Sequence, residues 1–153
     1  MTRIKISIPR ESFQTTATLL DSEAPVTCNS IQNILPVESN LKLANSSGGE
    51  TFVELPAEKR IKIEPENWVF NVIPGDVLYW HSLWGDGRVL RGSRDNAEIV
   101  FIFGRNVVLR DLALRPTAAN LFGHIDSGLD DFASICKRLQ TEGAKKLTIE
   151  TTA

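Results

Sequence analysis

The chain has 153 residues, the size of a single domain. Its 42% hydrophobic and 24% charged residues are those of an ordinary globule with a core of its own. The 17 basic and 19 acidic residues leave a net charge of −2 and no basic stripe, which argues against a nucleic-acid partner.

Arg3 to Ile8 alternates, with Ile4, Ile6 and Ile8 on one face, and Pro9 ends the run. Phe13 to Leu20 is a second strand, rich in threonine, and the two suggest a hairpin. Pro25 opens a helix, because a residue without an N–H fits the first turn. Asp21 and Glu23 place negative charge near its positive end. Cys28, Ile31 and Leu35, with Ile34 beside them, form its inward stripe, and Pro36 ends it. The two cysteines, Cys28 and Cys136, lie far apart on apolar helical positions and read as buried thiols rather than a disulfide framework.

Short strands are expected at Leu41 to Ala44, Thr51 to Leu55, Ile61 to Ile63, Trp68 to Ile73 and Val77 to His81. Pro74-Gly75-Asp76 is a turn that uses the freedom of glycine at positive φ. Asp86-Gly87 signals a tight hairpin leading to Arg88-Val89-Leu90. Glu98 to Phe103 reads as a central buried strand, Asn106 to Leu114 continues the β pattern, and Leu121 to Ile125 is a last barrel strand. Asp126-Ser127 offers a cap to a second helix carrying Leu129, Phe132, Cys136 and Leu139, which Gly143 stops. Lys145 to Thr151 is the final strand. Many short strands with one early and one late helix predict a mainly β fold, a closed β-barrel with two helices capping its ends, over residues 1–153 as one domain.

Two segments carry a resemblance. Ala17 to Pro36 runs from an apolar strand end through an acidic turn into a proline-started helix. Gly128-Leu129-Asp130-Asp131-Phe132 opens the late helix, and Lys145-Lys146-Leu147-Thr148-Ile149 closes the domain. Together they resemble the opening and the close of a cyclophilin. With Pro74-Gly75-Asp76 and Glu98-Ile99-Val100-Phe101 the chain is most similar to a bacterial and archaeal family of small cyclophilin-like proteins with no established activity. The resemblance implies a cyclophilin-like barrel. It does not imply prolyl isomerase chemistry: Phe52-Val53-Glu54-Leu55-Pro56 puts Glu54 where the isomerases place an arginine, and a carboxylate cannot donate to a twisting amide. The glutamine before the Phe-Phe strand and the late histidine of the isomerases have no clear match.

The aromatic run Tyr79-Trp80-His81-Ser82-Leu83-Trp84 suits a barrel-mouth pocket, with Tyr79 and His81 on one face and Trp80 on the other. Core packing is the plainer account of the same run. Arg88, Arg91 and Arg94 follow and suit an anion, or a solvated hairpin paired with Asp86 and Asp95. Glu50, Glu54 and Glu98 sit on or beside strands, where a buried one could act as a base and an exposed one would simply face water. The expected function is binding of a small molecule or short peptide. Tyr79 and His81 would hydrogen-bond it, Arg88 would pair with an anion, Glu98 would accept a proton or donor, and Phe101 would give apolar support. The alternatives are an enzyme using Glu98 or Glu50 as a base on a small metabolite, a weak prolyl isomerase, and a subunit of a homo-oligomer.

His81 and His124 are the only histidines, and no zinc-ligand spacing, phosphate loop or dinucleotide fingerprint appears, so no metal or cofactor is expected. The N-terminus lacks a signal-peptide apolar block and no run has membrane-spanning length, so the expected location is cytoplasmic, without a membrane partner.

Overall fold

The computed structural model describes residues 1–82, 95–111 and 113–152. The Asp86-Gly87 turn and Arg88, Arg91 and Arg94 lie outside the described residues. Nine strands and two α-helices follow in chain order. They are β1 (Arg3–Ile8), β2 (Phe13–Leu19), α1 (Pro25–Ile34), β3 (Val37–Leu43), β4 (Glu50–Glu54), β5 (Trp68–Val69), β6 (Asp76–His81), β7 (Ala97–Ile102), β8 (Ala119–Ile125), α2 (Leu129–Glu142) and β9 (Lys145–Thr151).

Eight strands close a ring in the order β2-β1-β9-β3-β4-β7-β6-β8, and β8 pairs back onto β2. Every pairing is antiparallel. Closure leaves no long free edge, which is how a sheet of short strands avoids pairing with other chains. Where β2 leaves the ring after Leu19↔Gly123, β5 takes over the same edge of β8 through Trp68↔Asn120 and Val69↔Ala119.

The two helices enter from opposite rims. α1 joins the end of β2 to the start of β3, and α2 joins the end of β8 to the start of β9. α1 buries Thr27, Cys28 and Ile31, and the Cys28 thiol donates to the Phe122 carbonyl at 3.4 Å. α2 buries Phe132, Ile135, Cys136 and Leu139. The Phe132 ring meets Phe101 edge-on at 5.9 Å and Phe13 at 5.8 Å. Burial pushes both thiols up to about 12, so neither is a thiolate at neutral pH.

Strand alternation divides the side chains into two cores. Val77, Tyr79, Ala97, Ile99, Phe101 and Val53 point into the barrel with the isoleucines of β1. Leu78, Trp80, Val100 and Ile102 point outward, where Leu109 and Ala119 cover them with Phe52 and Val107 packed alongside. The outer face of β4, β6 and β7 is therefore roofed by the segment between β7 and β8. This segment, residues 103–118, is where the sequence predicts continued strand over Asn106 to Leu114. It forms a loop instead, with one isolated bridge, Arg110↔Pro116, and left-handed turns at Asn106 and Leu114. Leu109 and Val107 pack down on the outer core rather than into a ladder. Ile61 to Ile63 is likewise not a strand, and β5 stops at Val69, short of the expected Ile73.

Candidate functional site

β4 begins beside a close backbone crossing. The Gly49 carbonyl accepts from the Phe103 and Gly104 amides at 2.8 and 3.2 Å. A Cβ on Gly49 would fall 2.5 Å from the Gly104 Cα, so only glycine lets the two segments meet. This contact fixes the residue that follows, Glu50, at the edge of the outer face.

Glu50 and Glu98 line one pocket of about 290 Å³ on that face. Phe52 and Trp80 supply its aromatic walls, Ser46 and Ser47 come from the β3–β4 loop, and Arg110, Asp111 and Leu114 come from the roof. A smaller cavity of about 10 Å³ shares Glu50, Trp80, Glu98 and Arg110 and is otherwise lined by Val100, Leu109, Thr117 and Ala119. A larger groove of about 670 Å³ lies between the end of α2 and the β3–β4 loop, lined by Lys42, Asn45 and Gln140 among others. It lacks the buried ionisable pair that gives the smaller pocket its chemistry.

Glu50 is only 6% exposed, and its Oε2 has no hydrogen-bond partner. Burial raises its carboxyl to about 7, against the lowering effect of a Ser47 hydrogen bond. Burial raises Glu98 further, to about 8, helped by the charges of Glu50 and Glu54 and opposed by Asn96 and Lys42. The Asn96 Nδ2 donates to Glu98 Oε1 at 3.1 Å, and the Asn96 backbone amide donates to Ser82 Oγ at 2.8 Å. Asn96 Oδ1 is buried without a partner. At neutral pH, then, Glu98 is mostly protonated and Glu50 is divided between its two forms. A protonated carboxyl donates and an ionised one accepts, so the pair can hold, give or take a proton.

Two cations of the roof, Arg110 and Arg115, are engaged. Arg110 donates from Nε to the Ser46 carbonyl at 3.2 Å and from Nη1 to the Leu114 carbonyl at 3.0 Å. Burial would raise Asp111, but the Arg115 and Ala113 amides and the Arg115 guanidinium hold its carboxyl below the usual range.

Among the described residues, the sequence-predicted lining residues are divided between this pocket and the barrel interior. Glu98 lies in the pocket. Phe101 is fully buried in the barrel interior. Tyr79 is also inside, donating from its hydroxyl to the Ile61 carbonyl, and burial raises its phenol. His81 is 2% exposed on the same inward face, 3.3 Å from Asp95. Burial lowers its imidazole and the Asp95 charge opposes that. Alternation on β6 and β7 puts these three on the face opposite Glu98. Arg88 lies outside the described residues. Sequence reasoning missed Asn96, Phe52, Ser47 and Arg110, and assigned Trp80 to the opposite face from Tyr79 without giving it a role. Among the described residues no three His, Cys, Asp or Glu side chains are grouped to hold a metal. No helix is long and apolar enough to cross a membrane.

Solved structures of similar fold extend over the whole chain. McbB, solved in complex with tryptophan, superposes with a TM-score of 0.71 at 13% identity, covering 98% of this chain. The match takes in 45% of McbB, so this chain spans less than half of that protein. The solution structure of the hypothetical protein AF2241 from Archaeoglobus fulgidus superposes with a TM-score of 0.60 at 22% identity, covering 99% of this chain and 95% of that one. At these identities the likeness is one of fold. No curated protein sequence matches the chain. Residues 6–151 match the model of a family described as protein of unknown function (DUF3830), and the chain belongs to that family.

Proposed function

We propose that the protein binds a small molecule in the outer-face pocket under the 103–118 roof, and that Glu50 and Glu98 make the polar contacts to it. The observation that carries this is the Glu50 carboxyl, buried with one oxygen unpartnered on the pocket wall. An unpaired buried polar atom costs stability unless something completes it, and a ligand is what the cavity beside it can admit. Phe52 and Trp80 add the apolar surface that small-molecule sites combine with a few polar groups. A volume of about 290 Å³ suits a metabolite of modest size better than a peptide. Glu54 has no donor to offer a prolyl amide, so this reading carries no isomerase activity.

A second reading is favoured by the raised carboxyls. A general acid or base works best when its pKa lies near the operating pH, and both glutamates lie there. Binding followed by proton transfer to or from the ligand is the catalytic form of the same site.

Protein-observed NMR with a metabolite and fragment library tests the binding reading, and tryptophan, the ligand of the McbB structure, belongs in that library. The expected hits perturb the Trp80 indole and the Glu50 and Glu98 amides. Hits confined to the groove beside α2, or none, would reject the outer-face pocket.

A further inference from the structure

We propose that the pocket selects a small organic amine, its ammonium held by Glu50 and Glu98 and its apolar body lying against Trp80 and Phe52. The inference rests on the pocket reading above and adds the chemical class of the ligand.

The argument is one of complementarity. Among the described residues, the unpartnered buried side-chain atom on the pocket wall is Glu50 Oε2, in a residue 6% exposed, and Asn96, bonded to Glu98 and 3% exposed, carries a second unpartnered oxygen, Oδ1. Several of the nearby donors already serve protein oxygens. Asn96 Nδ2 is on Glu98, Arg110 is on the Ser46 and Leu114 carbonyls, and Arg115 is on Asp111. A buried carboxyl oxygen that no protein group reaches is completed by a ligand that donates to it, and an ammonium carries several donors on one centre.

Charge points the same way. β4 contributes Glu50 and Glu54, β7 contributes Glu98, and β3 brings Lys42 close enough to act on Glu98. The roof contributes Arg110, and Asp111 paired with Arg115. An anion placed among these would meet Glu50, Glu98 and Asp111 against one lining guanidinium, two of whose donors are already on carbonyls. A cation would favour ionisation of both, and its charge would also be attracted to the indole face of Trp80. A hard divalent metal fits less well, since it takes six or more oxygens and no three acidic side chains of the described residues are grouped to hold one.

The sign of the pH dependence follows. An ammonium binds the ionised carboxylates, whose pKa values are raised, so binding expels protons and tightens as pH rises. An alkyl amine stays charged until about pH 10. Between about pH 6 and pH 9 its affinity should rise at least about ten-fold, since one of the two groups must lose its proton over that range.

The experiment is a fragment screen by protein-observed NMR, on a library divided equally among amines, neutral compounds and carboxylates, at both pH values. The expected result is that compounds perturbing Trp80, Glu50 and Glu98 are predominantly amines, bind about ten-fold or more tightly at the higher pH, and lose that pH dependence in the Glu50→Gln, Glu98→Gln double variant. Both replacements keep side-chain shape, and the variant's amide spectrum reports whether the fold is retained. Pocket hits that are neutral or anionic, or amines whose affinity is flat or falls with pH, would overturn the amine assignment and leave the pocket reading standing. Absence of hits of every class from this pocket would overturn both.

Discussion

Glu50 shows how one buried carboxyl can set the behaviour of another. Its charge is among the causes that raise Glu98. In Glu50→Gln that charge is gone, and the Glu98 carboxyl should titrate lower by up to roughly one pH unit, while its burial still holds it above the ordinary glutamate range. Carbon-13 NMR of the glutamate carboxyls measures this directly, and an unchanged Glu98 midpoint would mean the two groups do not sense each other. Both residues were legible in the sequence as acids at strand positions. What was not legible was their burial. The sequence shows Glu98 at the head of an apolar strand, but the residues that bury its carboxyl arrive from the roof and from Trp80 on the neighbouring strand, and no local pattern encodes those contacts. Tyr79, His81 and Phe101 illustrate the same limit from the other side. Alternation correctly separates Tyr79 and His81 from Trp80, but which face of β6 is the inside of the barrel depends on closure.

At the scale of elements, α1 is the clearest case of a local signal completed from a distance. Pro25 at its first position was readable, and Asp21 and Glu23 were expected to serve its positive end. Their charges do act on Cys28 in that turn, and the structure adds Glu66 as the acceptor of the helix-start amides. Its carboxylate accepts from the Val26 and Thr27 amides at 3.2 and 2.8 Å and from the Thr27 hydroxyl at 2.7 Å. Burial pushes the Glu66 carboxyl up, yet the Thr27 and Val26 bonds outweigh it and hold it below its usual range. Asn120 fixes the loop by accepting from the Glu66 amide at 2.9 Å, while its side-chain amide donates to Thr27 Oγ1 at 3.2 Å. The cap is 39 residues from the helix it serves, beyond any capping motif. Glu66→Ala should cost about 1–2 kcal/mol in denaturant unfolding and raise amide exchange in the first turn of α1, with the other strands unchanged. Exchange that rises evenly across the barrel would show that Glu66 acts on the whole fold rather than on the helix start. The loop at 103–118 is the converse. Its sequence follows a strand-like pattern, but Val107 and Leu109 cover the outward side chains of β6 and β7 instead of joining a ladder.

For the whole molecule, two sets of carboxyls pull stability in opposite directions with pH. The barrel seam, where β2 meets β8, is tied by Asp126, which accepts from the Thr16 and Thr18 hydroxyls, each at 2.5 Å, and lies 3.4 Å from Arg3. Burial works against the Asp126 charge, but these partners prevail and lower its carboxyl, as they do for Asp111 and Glu66 in their own settings. Groups lowered on folding add stability above their unfolded values, 3.8 for aspartate and 4.5 for glutamate, and lose it as pH falls through the folded ones. Glu50 and Glu98 do the reverse. Their folded values, about 7 and about 8, exceed the unfolded 4.5, so the advantage they give is complete below 4.5 and is lost as pH rises through the folded values. The unliganded protein should therefore be most stable near pH 5, with an acid limb from the seam and caps and an alkaline limb from the pocket. Thermal melts across pH test this in one series. The Glu50→Gln, Glu98→Gln double variant should flatten the decline between pH 5 and pH 8, on the order of a few kcal/mol, and leave the acid limb in place. A wild-type profile that keeps rising to pH 8 would mean that the pocket carboxyls are ionised at little cost and that the roof leaves them in contact with water. Loss of the alkaline limb when a ligand is added would instead show the ionised pair being compensated in place, which joins the stability of the fold to the occupancy of its pocket.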